Sequence, residues 1–146
     1  MTIHLVRCAA RIESIEALRE RQLQRSRQYQ QRSGQKNVFR TYTRNVPKRT
    51  DELLDGGSIY WVIKRFVRAR QRILGFERET DEEGRGYCMI GIDSELVLVE
   101  PRAYKPFQGW RYLRSEDAPA DLRVSATDAA HLPPEMAEEL RALGLI

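Results

Sequence analysis

The sequence predicts an α+β fold: a small, mostly antiparallel sheet or pseudo-barrel of about five strands, with an N-terminal surface helix and a C-terminal amphipathic helix. Three observations predict it. Short β-branched and aromatic runs recur between Gly, Pro and acidic turns through the middle of the chain. Residues 15–32 and the stretch after Pro133-Pro134 are instead rich in helix formers. The length of 146 residues suits a single domain, 1–146, able to bury a core without disulfides or metal.

Residues 2–9 alternate in part and read as a first strand. Ser14 precedes a helix over 15–32, whose apolar stripe of Ile12, Ile15, Leu18, Leu23 and Tyr29 is narrow, so most of its perimeter faces water. Arg25, Arg27 and Arg32, among five glutamines, make its second half basic; Ser33-Gly34 ends it and 35–37 form a loop. A strand over 38–46 places Val38, Arg40, Tyr42 and Arg44 on one face. Pro47 breaks it, and 49–54 form a helical turn stopped by Gly56-Gly57. Residues 58–76 satisfy two periods. Ile59, Val62, Ile63, Phe66, Ala69 and Ile73 fit a helix, but the double glycine and the β-branched run select strands over 58–64 and 67–77, turning at 64–66. The turn at 80–86 leads to strands over 87–92 and 96–99, completing an antiparallel meander. Residues 101–120 read as an irregular wrap whose Phe107, Trp110, Tyr112 and Leu113 pack on the sheet. Pro133-Pro134 opens the last helix, with Leu132, Met136, Leu140 and Leu143 on one face.

Composition narrows the function classes. Charged residues make up 32%, and no run approaches the 18 or so apolar residues of a membrane span. The N-terminus lacks the apolar core of a signal peptide, and Cys8 and Cys88 suit a reducing compartment, so a cytoplasmic location and no membrane partner are expected. The net charge of +4 conceals a division: residues 1–76 hold 17 Lys and Arg against 6 Asp and Glu, and residues 77–146 hold 8 against 15. A basic half beside an acidic half points to a polyanionic partner, or to neutralisation within the fold, in a homo-oligomer or with another protein.

Two basic lines are the candidate site. Arg68, Arg70 and Arg72 would project from one strand face about every 6.6 Å, close to the phosphate spacing of an extended nucleic-acid strand. The plainer reading is a solvated strand face paired with acidic 77–83. Arg40, Tyr42 and Arg44 form a second line, extended by Lys48 and Arg49, with an aromatic on which a base can stack. Here the plainer reading is a tyrosine packed at a sheet edge.

Other constellations carry less. Asp55-Gly56-Gly57-Ser58 lacks the spacing of a phosphate-binding loop, and Ser58 lacks the context of a hydrolase nucleophile, so helix stop and turn describe it better. Asp51 and Glu52 read as a helix first turn. His4 and Cys8 would lie about 13 Å apart on a strand, too far for one metal, and His131 and Cys88 have no ligand partners near in sequence. No metal, no cofactor and no catalytic residue is assigned, and enzymatic activity is left open.

The segments 47–49, 51–64 and 69–73, with 106–113 and 116–122, resemble an uncharacterised alphaproteobacterial family, a domain of unknown function of about this length. The resemblance implies a cytoplasmic bacterial protein and brings no activity. It places Gly after the Ile63-Lys64 pair, where this chain has Arg65. The order of elements is more distantly similar to the pseudo-barrels of PUA- and ASCH-like domains, which commonly bind RNA or modified nucleotides. The leading expectation is nucleic-acid binding, RNA ahead of DNA, through Arg40, Tyr42, Arg44, Lys48, Arg49, Arg68, Arg70 and Arg72. The alternatives are a protein-interaction module using the two charge halves, or a small nucleotide-binding domain or enzyme using 49–58.

Overall fold

A computed structural model of the chain describes residues 2–9, 11–34, 38–105 and 107–122. It contains β1 (Ile3–Cys8), α1 (Ile15–Ser33), β2 (Phe39–Thr43), α2 (Thr50–Leu54), β3 (Ser58–Ile63), β4 (Phe66–Thr80), β5 (Gly86–Ile92), β6 (Val97–Ala103), β7 (Trp110–Arg114) and a 3-10 turn at Ser115–Asp117. The helix expected after Pro133-Pro134 lies outside the described residues.

The fold is α+β and dominated by the sheet, but the sheet is larger than expected. Seven strands form an open mixed sheet in the order β2-β5-β4-β3-β1-β7, with β6 pairing β4. β1 runs parallel to β3, Leu5 opposite Ile59, and antiparallel to β7, Leu5 opposite Tyr112. Neither pairing belongs to a meander: the first joins segments more than fifty residues apart, and β7 lies inside the stretch read as an irregular wrap. β6 likewise runs past Val99 to Ala103, with a register shift against β4 between Leu98 and Arg102 that accommodates Pro101.

Local chemistry explains the elements that were expected. Ser14 Oγ accepts from the Ala17 amide, and Gly34, at φ 77°, caps α1 with its N–H on Gln30 O. Gly57 closes the turn after α2, where a Cβ would stand 2.3 Å from the carbonyl oxygens of both Ile3 and Leu53. The β3–β4 hairpin turns on Lys64 and Arg65 alone, with Ile63 opposite Phe66; both turn residues have positive φ, 50° and 68°. That is the type I′ geometry usually given to Asn-Gly.

The sheet buries both faces. Leu5, Ile59, Trp61, Ile63, Ala69, Ile73 and Ile90 pack with Ile15 and Leu18 of α1 and Leu53 of α2. On the opposite face Val6, Tyr60, Val62, Val67, Val99 and Leu113 pack beneath Tyr104, Phe107 and Ala118. The sheet also curls. β2 stands four strands from β1, yet the Arg7 guanidinium of β1 reaches Thr41 Oγ1 at 2.9 Å and Tyr42 O at 2.7 Å. At the far edge, Trp110 Nε1 donates to Asn45 O, and the Lys48 and Arg49 amides donate to the Tyr112 hydroxyl.

Candidate functional site

The curl brings three elements to one cleft. α1 packs against β2, and the second half of the helix turns Gln22, Arg25, Ser26, Tyr29 and Arg32 toward it, residues three and four apart and therefore on one flank. β2 contributes Arg40, Thr41 and Tyr42, and β1 contributes Arg7. The cleft encloses about 440 Å³. Four arginines line it, and among the described residues no carboxylate does.

Two of the four guanidiniums are held in place. Arg7 is half-buried, tied by both Nη1 bonds to β2. Burial, and then the charge of Arg25, push its pKa down, so its cation is held at a cost. Arg40 lies 3.5 Å from the centre of the Tyr29 ring, with its Nη1 on Met89 Sδ at 2.8 Å. Gln22 forms a two-bond amide pair with Gln71, 2.7 and 2.8 Å. Gln71 is fully buried and also accepts from Trp61 Nε1 and donates to Asp93 O, which fixes that wall of the cleft in the core. Tyr42, 37% exposed, stands at the mouth edge-on to Tyr87, with ring centres 5.6 Å apart.

Of the residues singled out in the sequence, Arg40 and Tyr42 line this cleft. Arg44 points to an adjoining groove that shares Tyr42, where it meets Asp81 at 3.5 Å. Lys48 and Arg49 lie beyond β2; Arg49 pairs with Glu52 and sits 5.5 Å from the Tyr112 ring. Arg68, Arg70 and Arg72 do not form one row. Trp61 pairs Ala69 and Val62 pairs Val67, so Arg68 is the extra residue of a β-bulge, buried with its Nε on Ile63 O. Arg70 makes two bonds to Asp121, 2.7 and 2.8 Å, and one to Ser58 Oγ. Arg72 is exposed, opposite Ser58. The pairs Arg44–Asp81 and Arg70–Asp121 join the basic half of the chain to the acidic half within one molecule.

Sequence reasoning missed Arg7, Arg25, Arg32 and Tyr29 as site residues. For the helical three a signal existed, since 22, 25, 29 and 32 recur at helical spacing and prolong the stripe begun by Ile15 and Leu18 with polar and basic residues. Arg7 had none, because only the curl of the sheet carries it to β2.

A second depression lies on the other face, lined by His4, Ser58, Tyr60, Arg70, Ser115 and Asp121. His4 Nδ1 accepts from the Ser58 amide at 3.0 Å, so in the neutral ring the proton is on Nε2, 3.3 Å from Ser115 Oγ. Ser115 Oγ donates in turn to Thr2 O. An Nε2 that carries a proton cannot take one from serine, so the pair is not a nucleophile with its base. Burial, followed by the charge of Arg70, lowers the His4 pKa and keeps the ring neutral. The segment 49–58 is a helix first turn and stop, with Ser58 buried. Among the described residues no group of three or more His, Cys, Asp or Glu could hold a metal, and no helix is long and apolar enough to cross a membrane.

Searches of curated proteins and of solved structures found no match. A family model does match over residues 5–146, essentially the whole chain, and the chain belongs to that family, described as "Protein of unknown function (DUF1489)".

Proposed function

We propose that the chain binds nucleic acid, single-stranded RNA ahead of DNA, in the cleft between α1 and β2. The observation that carries this reading is the convergence of Arg7, Arg25, Arg32 and Arg40 with no carboxylate among the described lining residues. Like charges gathered at that density repel one another unless an anion lies between them, and a phosphate backbone supplies several. Tyr42 at the mouth offers a face for a base, an interaction of about 1–3 kcal/mol. Gln28 and Ser26 add neutral donors and acceptors suited to a ribose 2′-hydroxyl. Arg40 and Tyr42 carry over from the sequence reading, and Arg7, Arg25 and Arg32 take the place of the row at 68–72.

The test is fluorescence anisotropy with a short labelled single-stranded RNA across a salt series, with duplex DNA for comparison. Each phosphate neutralised contributes a slope of about −0.7 in log affinity against log salt. Arg25→Glu with Arg40→Glu should weaken binding at least about tenfold and flatten that slope by about 1.4. Absence of binding near 50 mM salt, or an unchanged slope in a folded double variant, would overturn the reading.

A further inference from the structure

The cleft adjoins a smaller space on its inner side. That space, of about 120 Å³, shares Arg7, Arg25 and Arg40 with the cleft, adds Arg21, and has Ile12, Leu18 and Trp61 in its lining. These three residues belong to the hydrophobic core and are between 4% and 8% exposed. A space of that size admits a single small group rather than a stretch of strand, which points to a chain end.

Charge and hydrogen-bonding capacity define that group further. Both bonds of Arg7 to β2 leave from Nη1, which keeps the donors of Nη2 and Nε for a ligand. Arg40 sits over the Tyr29 ring, and Gln22 is locked to Gln71, so these walls are set before anything binds. An internal phosphodiester brings one negative charge. A terminal phosphate monoester brings nearly two above its second pKa of about 6, with three accepting oxygens. Several guanidiniums around one small space match the second far better than the first.

We infer that the inner side of the cleft is a subsite for a terminal phosphate, held between Arg7, Arg25 and Arg40, so that the protein takes a nucleic-acid strand by its phosphorylated end. The assignment rests on the nucleic-acid reading and adds the feature of the strand that is recognised. The sugar and first base then lie toward the mouth, beside Tyr42.

Three versions of one labelled single-stranded RNA separate the outcomes: a 5′-phosphate, a 3′-phosphate, and hydroxyls at both ends. One phosphorylated form should bind the full chain about tenfold or more tightly than the hydroxyl form, as expected for the added charge-assisted bonds. That advantage should shrink below about pH 6 as the phosphate takes up its second proton. Arg25→Gln, an exposed helical position, should abolish the advantage, and Arg114→Gln on β7 should keep it. Equal binding of all three RNAs would overturn the subsite and leave strand binding intact. No binding of any of them would overturn both.

Discussion

At the scale of single residues, the chain spends charge and polarity in two opposite ways. Arg70 is matched by Asp121 and Ser58, and Gln71 by Gln22, Trp61 and Asp93, so these polar groups sit at low cost. Arg7 is instead placed where burial and Arg25 both oppose its charge, the pattern of a group that waits for a partner. His4 makes the same physics measurable without any ligand. Its folded pKa lies below the unfolded value of 6.5, because burial and then Arg70 disfavour the imidazolium. The stability linked to His4 is therefore full above about pH 6.5 and lost as pH falls through the lower folded pKa. Denaturant unfolding between about pH 7.5 and 5 should show a steeper loss for the native chain than for His4→Asn, whose amide oxygen can still accept from Ser58. Superimposable pH profiles would mean that His4 titrates in the fold as it does in the unfolded chain.

At the scale of elements, turn chemistry decides what forms and at what cost. The Lys64-Arg65 hairpin turn places two side-chain-bearing residues at positive φ, each worth about 1–2 kcal/mol of steric cost against glycine. Glycine also frees the unfolded chain, so part of that gain is returned. Arg65→Gly should therefore raise stability by about 0.5–1 kcal/mol, read as a higher denaturant midpoint at unchanged slope. A lower midpoint would mean that the Arg65 side chain contributes more than its backbone costs. This hairpin was legible in the sequence because its evidence is local: a β-branched run, a turn and a second run. Ser14 and Gly34 marked the ends of α1 for the same reason. β7 was not legible, since Trp-Arg-Tyr-Leu-Arg has no β-branched residue and sits among prolines. Nor was the β-bulge that takes Arg68 out of line with Arg70 and Arg72, because it is a mismatch between two strands and belongs to neither alone. Half of the candidate site was found through the alternation of Arg40 and Tyr42 on β2. Arg25, Tyr29 and Arg32 recur at helical spacing on α1, whereas Arg7 depends on a parallel pairing across more than fifty residues, which no local pattern encodes.

At the scale of the whole molecule, the curl of an open sheet makes the cleft, so whatever holds the curl also holds the site. Backbone pairing leaves β2 and β7 as opposite edges of the main strand path. Side chains tie them: Arg7 reaches from β1 to Thr41 and Tyr42, and Trp110 and Tyr112 of β7 bond the backbone just after β2. The Tyr112 hydroxyl is the centre of the second tie, since it accepts from two consecutive amides, at 2.9 and 3.2 Å. Tyr112→Phe keeps the ring, its edge-on contact with Trp110 and its packing, and removes only that acceptor. The loss should be about 1 kcal/mol, the net worth of a protein hydrogen bond, because both amides lie where water can replace the hydroxyl. Its local signature should be larger. Hydrogen exchange at the Lys48 and Arg49 amides should accelerate about tenfold, while amides of β3 at the sheet centre keep their protection. Acceleration spread evenly over the sheet would mean that Tyr112 supports global stability and no more. Protection unchanged at both amides would mean that the curl is held by the twist and packing of the strands themselves.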